Sequence, residues 1–154
     1  MYLRMLNRAN FLLTEYKIFS FPIPLHTIDQ IIDDFNIKVV IRKYLTSSVS
    51  YDDEIAIGIY ESPQYREDLL HETCHICYHN ANRFNSDDYI IAKNESQAQA
   101  FAAYFLMPVY IFENDLKQGL SDYELSENFG VSIEFVRYRK TLTEALINTN
   151  YFER

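Results

Sequence analysis

Apolar side chains recur every three or four positions over most of the chain, and short β-branched runs interrupt them. Residues 3–17 predict a first helix, which ends before Pro22 because helices tend to stop before proline. Thr27 is expected to cap a second helix that carries the isoleucines following it. Two strands are predicted next, at 37–41 and 55–60, from their short length and their β-branched residues.

From residue 64 to about residue 80 the pattern is helical again, and counting about 100° per residue separates two faces. One face is mostly apolar and comprises Leu69, Leu70, Thr73, Cys74 and Cys77. The other is polar and comprises Asp68, His71, Glu72, His75 and His79. The polar side chains therefore form one stripe along a helix whose opposite side is expected to pack into the core.

The next segment, 81–93, is rich in Asn, Asp and Ser and predicts a loop, with 89–91 as a brief extended piece. A helix is then expected to begin with Asn94 as its N-cap and Gln97 three residues on, and to end at a Met-Pro pair. One face of this helix comprises Glu95, Ala98, Gln99, Ala102 and Leu106. Its small alanines would let the helix approach another helix closely.

Three further helices are expected at 109–119, 121–129 and 132–147. Gly119 and Gly130 are their predicted C-terminal stops. The order of elements indicates a mostly helical α+β fold in which a small sheet lies beside the helices. We interpret residues 1–154 as a single domain whose helical C-terminal part, at about 109–148, is similar to a helix-turn-helix.

Composition and charge narrow the possible partners. The 154 residues are 48% hydrophobic with only 3 Gly and 4 Pro, as in a packed globule. A net charge of −8 argues against a nucleic-acid partner, because such affinity comes largely from cations that neutralise phosphates. The sequence predicts no membrane span and no signal peptide, so a cytoplasmic location is expected. The two cysteines lie in one predicted helix and are expected to be reduced.

The candidate chemistry lies on the polar stripe, where residues 71–75 read H-E-x-x-H. Histidines four residues apart on a helix point the same way, so His71 and His75 can bind one Zn²⁺. Glu72 then lies beside the water of that ion and is the candidate general base. The motif therefore predicts one catalytic zinc ion and a hydrolytic reaction.

A catalytic zinc site needs a third protein ligand. Metzincins use a glycine and a histidine further along the helix, but here those positions are Tyr78 and Ala81, which excludes that class. The other common solution is a carboxylate about 20 residues on, and Glu95 fits it. Two alternatives stay open: the histidines are solvated surface residues, or Glu95 only interacts with the positive end of its helix.

Four other residues are candidates for contacts with the ligands or the substrate. His79 lies two turns after His71, too far along a straight helix for both to bind one ion, and is expected either to contact a ligand or to pack against the following loop. Asp68 either accepts a hydrogen bond from a ligand imidazole or is a solvated acid. Gln99 shares the Glu95 face, and Tyr104 is a weak candidate for stabilising the oxyanion. Both cysteines of the motif helix are expected to pack in the core.

These motifs carry a family resemblance. The H-E-x-x-H run and the later segment 95–108, with Glu95 first and Met107-Pro108 last, resemble the ImmA/IrrE family of zinc metallopeptidases over about residues 20–145. The family's ligand and base positions map onto Glu95 and Glu72. Cys74 and Gln99 depart from residues that are common in the family, without removing a ligand. The resemblance implies a zincin-like fold, and a cytoplasmic anti-repressor of a prophage or mobile element that cleaves a helix-turn-helix repressor.

Three hypotheses follow for the function. In the first, the protein is a zinc metalloendopeptidase, and 55–60 is an edge strand that pairs with an extended substrate. In the second, it is a non-proteolytic regulator that binds a repressor or DNA through residues 125–137, with Arg137, Arg139 and Lys140 as candidate contacts. In the third, the zinc only holds the fold together, and Glu72 has no chemical role.

Overall fold

The computed structural model describes residues 2–60, 62–79 and 87–153, which form seven α-helices, one 3-10 turn and one three-stranded sheet. The helices are α1 (Leu3–Glu15), α2 (Leu25–Asp34), α3 (Ser62–Tyr78), α4 (Asp88–Leu106), α5 (Val109–Lys117), α6 (Asp122–Phe129) and α7 (Ile133–Asn148). The strands are β1 (Lys38–Ile41), β2 (Ser48–Tyr51) and β3 (Glu54–Ile57), and the 3-10 turn is Tyr151–Glu153. The predicted mostly helical α+β architecture is confirmed.

The sheet has the order β1-β3-β2, with β1 parallel and β2 antiparallel to β3. Its central strand is therefore β3, so the prediction that the strand at 55–60 lies at an edge was wrong. The edge next to α3 is β2, which the sequence analysis did not predict. Its sequence, Ser-Val-Ser-Tyr, has a polar residue at every other position and lacks the β-branched run that marks the other two strands.

Helix α4 is the centre of the core and packs against α1, α3 and α7. Its side chains from Ala100 to Leu106 are all buried. A helix that is apolar all round is typical of a position surrounded by other elements, and this stretch carries no charged residue. The N-terminal half of the same helix is partly exposed and carries Glu95.

The start of α4 corrects the sequence analysis. The helix begins at Asp88, and its N-cap is Asp87, whose side chain accepts a hydrogen bond from the Ile90 N–H. Asn94 is therefore an interior residue, and 89–91 is helical. Because residues 81–93 are rich in Asn, Asp and Ser, the sequence indicated a loop where the helix in fact begins. Residues 81–86 of the predicted loop, and Asn80 at the predicted end of the motif helix, lie outside the described residues.

The observed start of α4 also changes the interpretation of Glu95. This residue lies in the second turn of α4, beyond the first turn where a carboxylate interacts most favourably with the helix dipole. The alternative that Glu95 is only a first-turn acid is therefore wrong. At α2, the predicted cap also differs: Pro24 is the N-cap residue, and Thr27 lies inside the helix.

The C-terminal helices follow the sequence prediction closely. Gly119 and Gly130 adopt the left-handed conformation after α5 and α6, with φ of 80° and 66°. A Cβ atom at Gly130 would also lie only 2.5 Å from the Arg66 guanidinium and 2.8 Å from the Pro22 ring. Ser121 forms a capping box at the start of α6, and Ser132 caps α7. The Gly130 turn and Ser132 at the start of α7 thereby lie against the N-terminal half of α3, where they contact Arg66 and Glu67.

Candidate metal centre

Three side chains from two helices meet at one point. His71 and His75 lie one turn apart on α3, and Glu95 lies on α4. Nε2 of His71 is 2.9 Å from one carboxylate oxygen of Glu95, and Nε2 of His75 is 2.9 Å from the other. The two Nε2 atoms are 3.2 Å apart, and the three ligand atoms all lie within 4.8 Å of one another. The structure thus brings together the three predicted ligands.

The chemistry of these donors suits a zinc ion. Two imidazole nitrogens and one carboxylate oxygen form a three-ligand set of the kind that catalytic zinc uses, with a fourth position for water. The side chains of His71, His75 and Glu95 are 21%, 10% and 42% exposed, so the cluster is open to solvent on one side. Hydrogen bonds with the two histidines hold the pKa of Glu95 well below its usual range, which keeps its carboxylate anionic.

The predicted base is buried beside this cluster. Glu72 is only 2% exposed, and each of its carboxylate oxygens accepts a hydrogen bond of 3.0 Å, one from the Ser48 hydroxyl and one from Ser50. The two serines lie on β2, two residues apart, and therefore on one face of the sheet. Sequence analysis missed them. Their alternation within a short polar strand was the only local signal.

His79 connects the site to α4. Its Nδ1 lies 2.9 Å from Nδ1 of His75, and its Nε2 lies 2.9 Å from Oε1 of Gln97. Burial lowers the pKa of His79, which favours its neutral form. The structure therefore places His79 behind a candidate ligand, which is one of the two roles expected for it, and adds Gln97, which the sequence analysis had considered only as part of a helix cap.

Asp68 lies one turn before His71 and is partly buried. Its carboxylate accepts a hydrogen bond of 2.5 Å from the Tyr60 hydroxyl. Burial raises the pKa of Asp68, and this hydrogen bond together with the charge interaction with His71 opposes the rise. The described donors to Asp68 are thus the Tyr60 phenol next to β3 and the Gln64 side chain, and the interaction between Asp68 and His71 is electrostatic.

The other two candidates lie elsewhere on α4. Gln99 is exposed. Tyr104 is 0% exposed, and its ring packs against the Arg139 guanidinium, 4.9 Å from the ring centroid. Burial raises the pKa of Tyr104 to about 12. Tyr104 lies nine positions after Glu95, which places it about 13 Å along the helix and on its opposite side. Tyr104 is therefore a core residue and does not face the candidate ligands.

The cysteines of α3 are free thiols. Cys74 is completely buried, with its sulfur 3.8 Å from that of Met5, and Cys77 is partly buried. Burial raises the pKa of Cys74 to about 12 and that of Cys77 to about 11, so neither is a thiolate near neutral pH. Both pack on the side of α3 expected from the helical count.

The cations suggested for DNA contact in α7 all interact with carboxylates. Arg137 and Lys140 both pair with Asp122 of α6. Arg139 is completely buried and pairs with Glu113 of α5. These contacts hold α7 against α5 and α6, and they reduce the charge available for phosphates.

Comparison with known proteins identifies the family. The model of the IrrE N-terminal-like domain family, Peptidase_M78, matches residues 32–141, which include α3, α4 and the three candidate ligands. The chain belongs to this family. Membership in Peptidase_M78 suggests a metallopeptidase-type function and implies a metal, for which the His71, His75 and Glu95 cluster is a suitable site. No curated protein matches the chain at a significant level.

A solved structure supports the fold. A Mycobacterium tuberculosis transcriptional regulator is similar to this Peptidase_M78 chain with a TM-score of 0.71 and 20% sequence identity. The similarity covers 88% of this chain but 46% of the regulator, so the chain spans about half the length of that protein. At this identity the similarity establishes the shared fold alone. Among the described residues, no helix combines the length and apolarity required to cross a membrane.

Proposed function

We propose that the protein is a zinc-dependent endopeptidase that cleaves a helix-turn-helix transcriptional repressor and so relieves repression of a prophage or mobile element. The convergence of the His71 and His75 Nε2 atoms on the two oxygens of Glu95 is the observation that carries the proposal. It supplies three ligands of the right chemistry beside a buried carboxylate. The choice of a repressor as the substrate comes from the family resemblance, and the fold shared with a transcriptional regulator is consistent with it.

In the proposed reaction, three residues bind the metal and a fourth, Glu72, transfers the proton. A zinc ion held by His71, His75 and Glu95 would supply Lewis acidity to the scissile carbonyl and lower the pKa of the attacking water. Glu72 accepts a proton from that water as its oxygen adds to the carbonyl carbon. The same carboxyl then donates the proton to the leaving amine nitrogen as the C–N bond breaks, which regenerates the Glu72 carboxylate.

The substrate segment is proposed to extend along β2. This is the terminal strand of the described sheet, on the side of α3, and its Ser48 and Ser50 contact Glu72. An extended peptide that pairs with a sheet edge is held in a fixed register, so its carbonyl groups lie at defined positions along the strand. A peptide held there would pass close to the proposed base. A DNA-binding repressor as substrate also implies that the reaction takes place in the cytoplasm.

The test compares Glu72→Gln with the parent protein. Each full-length protein is loaded with zinc, its metal content is measured, and it is incubated with a helix-turn-helix repressor encoded in the same genetic locus. Cleavage is followed by gel electrophoresis, and the new termini are identified by mass spectrometry. Glu144→Gln is the matched control, because Glu144 is exposed on α7. We expect Glu72→Gln to bind zinc as the parent does and to lose cleavage by at least about a hundredfold.

The outcomes separate the proposal from its alternatives. Cleavage by Glu72→Gln at the parental rate would contradict the proposed base. A parent that binds zinc and the repressor without cutting it would favour a non-proteolytic regulator. A parent that binds zinc, unfolds when the metal is removed and neither binds nor cuts the repressor would favour a structural zinc site.

A further inference from the structure

An open groove lies where α1 meets the ends of α2 and α3. We call it the α1 groove; its volume is about 620 Å³, and its walls are mostly apolar. The side chains that matter for its chemistry are Arg4, Arg8 and Phe11 of α1, together with Phe35 after α2 and Tyr78 at the end of α3. Phe11 and Phe35 are 62% and 40% exposed. Exposed aromatic rings that share one groove are typical of an interaction surface.

Two arginines give the α1 groove a positive charge. Arg4 and Arg8 lie one turn apart, and among residues 2–60, 62–79 and 87–153 no carboxylate forms an ion pair with either. Arg4 lies in the first turn of α1, which contains no acidic residue, and a cation there opposes the helix dipole. Arg4 is therefore not explained by the stability of its own helix. In a chain with a net charge of −8, this groove is positioned to attract carboxylates.

The α1 groove lies close to the candidate metal centre. The Arg8 guanidinium is 4.2 Å from the centroid of the Tyr78 ring. Tyr78 follows His75 by three positions on α3, which corresponds to about 4.5 Å along the helix and about 60° around it. The side of α3 that presents the histidines therefore continues into the groove. A protein substrate held at the metal can contact the groove with residues away from the cleaved bond, whereas a short peptide cannot.

We propose that the α1 groove is a second binding site for the substrate and receives a segment that carries carboxylates beside apolar side chains. The inference rests on the proposed peptidase and describes how that enzyme selects its substrate. The carboxylates pair with Arg4 and Arg8, and the apolar side chains cover Phe11 and Phe35. Complementary charge provides specificity and orientation, and buried aromatic side chains provide much of the affinity. A nucleic acid fits less well, because its affinity requires many cations and gains little from apolar walls.

Binding is measured first, with zinc-loaded full-length Glu72→Gln protein, so that the repressor encoded in the same genetic locus stays intact. Fluorescence anisotropy of the labelled repressor gives the dissociation constant. We expect Arg4→Glu and Phe11→Ala, added to this background, each to weaken binding by about tenfold. Glu near a helix N-terminus favours the helix, so Arg4→Glu should not unfold α1. The matched controls Arg42→Glu and Phe19→Ala change exposed residues outside the groove and should stay within about twofold.

Kinetics then separate binding in the groove from chemistry at the metal. Values of kcat and KM are measured, with Glu72 intact, for the whole repressor and for a short synthetic peptide that spans the cleaved bond. Arg4→Glu and Phe11→Ala should raise KM for the whole repressor by about tenfold and leave kcat close to the parental value. Both constants should be unchanged for the short peptide, because it does not reach the groove. A variant with a merely destabilised fold would lose activity on both substrates.

Hydrogen exchange of the repressor identifies the segment that occupies the groove. We expect protection of a segment away from the cleaved bond that contains Asp or Glu beside apolar residues, and loss of that protection with Arg4→Glu. Protection of a segment without acidic residues would overturn the inference. A labelled DNA duplex that binds the parent and is released by Arg4→Glu would also overturn it, and would assign the groove to nucleic acid.

The remaining outcomes distinguish this inference from the proposed function. Unchanged repressor binding in Arg4→Glu and Phe11→Ala, or an equal loss of activity on both substrates, rejects the α1 groove and leaves the peptidase standing. A parent that binds the repressor through the groove but never cuts it keeps the groove and rejects the peptidase. A protein that neither binds nor cuts the repressor rejects both.

Discussion

At the scale of single residues, the position of Glu72 is unusual for a proton carrier. Its side chain is 2% exposed, and the hydroxyls of Ser48 and Ser50 each donate to one of its oxygens. A buried carboxylate is tolerated only when its oxygens are hydrogen bonded, because desolvation without compensation is costly. The two serines therefore stabilise the carboxylate and fix the direction in which it points.

Removal of these hydroxyls should destabilise the protein. We expect Ser50→Ala to lower the free energy of unfolding by about 1–3 kcal/mol, since it leaves an oxygen of Glu72 buried without its donor. Urea denaturation of the zinc-free protein measures the change. Ser47→Ala is the control, because Ser47 is exposed and lies directly before β2, and a change of about 0.5 kcal/mol or less is expected there.

A double-mutant cycle with Glu72→Gln identifies the cause. If the hydrogen bond to the carboxylate is what matters, Ser50→Ala should cost less in the Glu72→Gln background than in the parent. An equal cost in both backgrounds would show that Ser50 contributes by packing and not through Glu72.

The site residues differ in how well the sequence predicts them. His71, Glu72 and His75 follow from one short motif, because helical geometry alone places them together. Glu95 follows from its distance along the chain and the residues around it. Ser48, Ser50 and Gln97 were not predicted, because their roles depend on where two other elements pack against α3. Non-local contacts of this kind leave no periodic signal in the sequence.

At the scale of elements, a buried arginine joins three helices. Arg139 of α7 pairs with Glu113 of α5 at 3.2 Å, donates to Thr143 on its own helix, and donates to the carbonyl oxygen of Met107 after α4. Its guanidinium also lies over the rings of Tyr104 and Phe112. All three kinds of donor nitrogen are therefore satisfied, as burial of a charge requires.

Loss of this arginine should be severe. We expect Arg139→Leu to lower the free energy of unfolding by about 3–5 kcal/mol, because it leaves the Glu113 carboxylate buried without its counter-ion. Arg137→Leu is the matched control: Arg137 is 66% exposed, and loss of its ion pair should cost at most about 1 kcal/mol. Urea denaturation measures both. A combined Arg139→Leu and Glu113→Leu variant should be more stable than Arg139→Leu alone, and a less stable one would contradict the explanation.

The contact between α3 and α7 predicts a pH dependence. Glu67 of α3 is 7% exposed, accepts a hydrogen bond from Ser132 at the start of α7, and has a second oxygen without a partner among the described residues. Burial raises the pKa of Glu67 to about 7. The folded state therefore retains a proton that the unfolded chain releases at about pH 4.3. The contribution of this group to stability is present below that pH and is lost as the pH rises to about 7.

Glu67→Gln should remove this dependence, since an amide does not ionise and its oxygen can still accept from Ser132. Relative to the parent, the variant should gain about 3 kcal/mol of unfolding free energy between pH 4 and pH 8. Denaturant titrations at several pH values, with Glu144→Gln as the exposed control, measure the difference. A difference that does not change with pH would show that Glu67 has the same pKa in the folded protein as in the unfolded chain, and would contradict the raised value.

The elements themselves were predictable to different degrees. Helices α5 to α7 were found to within about two residues, because serine caps and left-handed glycines mark their ends. The start of α4 was missed because a polar segment precedes its buried half. Strand β2 was missed because four residues with alternating serines resemble a loop when read alone. Its strand character comes from pairing with β3.

At the scale of the whole molecule, α4 connects the candidate site to the core. Its C-terminal half is surrounded by other helices, whereas Glu95 near its exposed end reaches the two histidines of α3. A metal ion bound by these residues would link α3 to α4 across the surface. Zinc binding and global stability should therefore be coupled, since an ion that binds only the folded state stabilises it.

This coupling distinguishes a ligand from a base in a single measurement. At a zinc concentration about 100-fold above the dissociation constant, the folded state gains about 2.7 kcal/mol, which corresponds to a rise in Tm of about 5–10 °C for a chain of this size. Glu95→Gln removes the anionic ligand and should lose most of the rise at the same zinc concentration. Glu72→Gln should keep the zinc-dependent rise in Tm, because Glu72 is hydrogen bonded to β2 and is not part of the ligand cluster.

Differential scanning calorimetry with added zinc, and with magnesium as the control cation, measures these shifts. A full zinc-dependent rise in Glu95→Gln would exclude Glu95 as a ligand, and loss of the rise in Glu72→Gln would make Glu72 a ligand instead of a base.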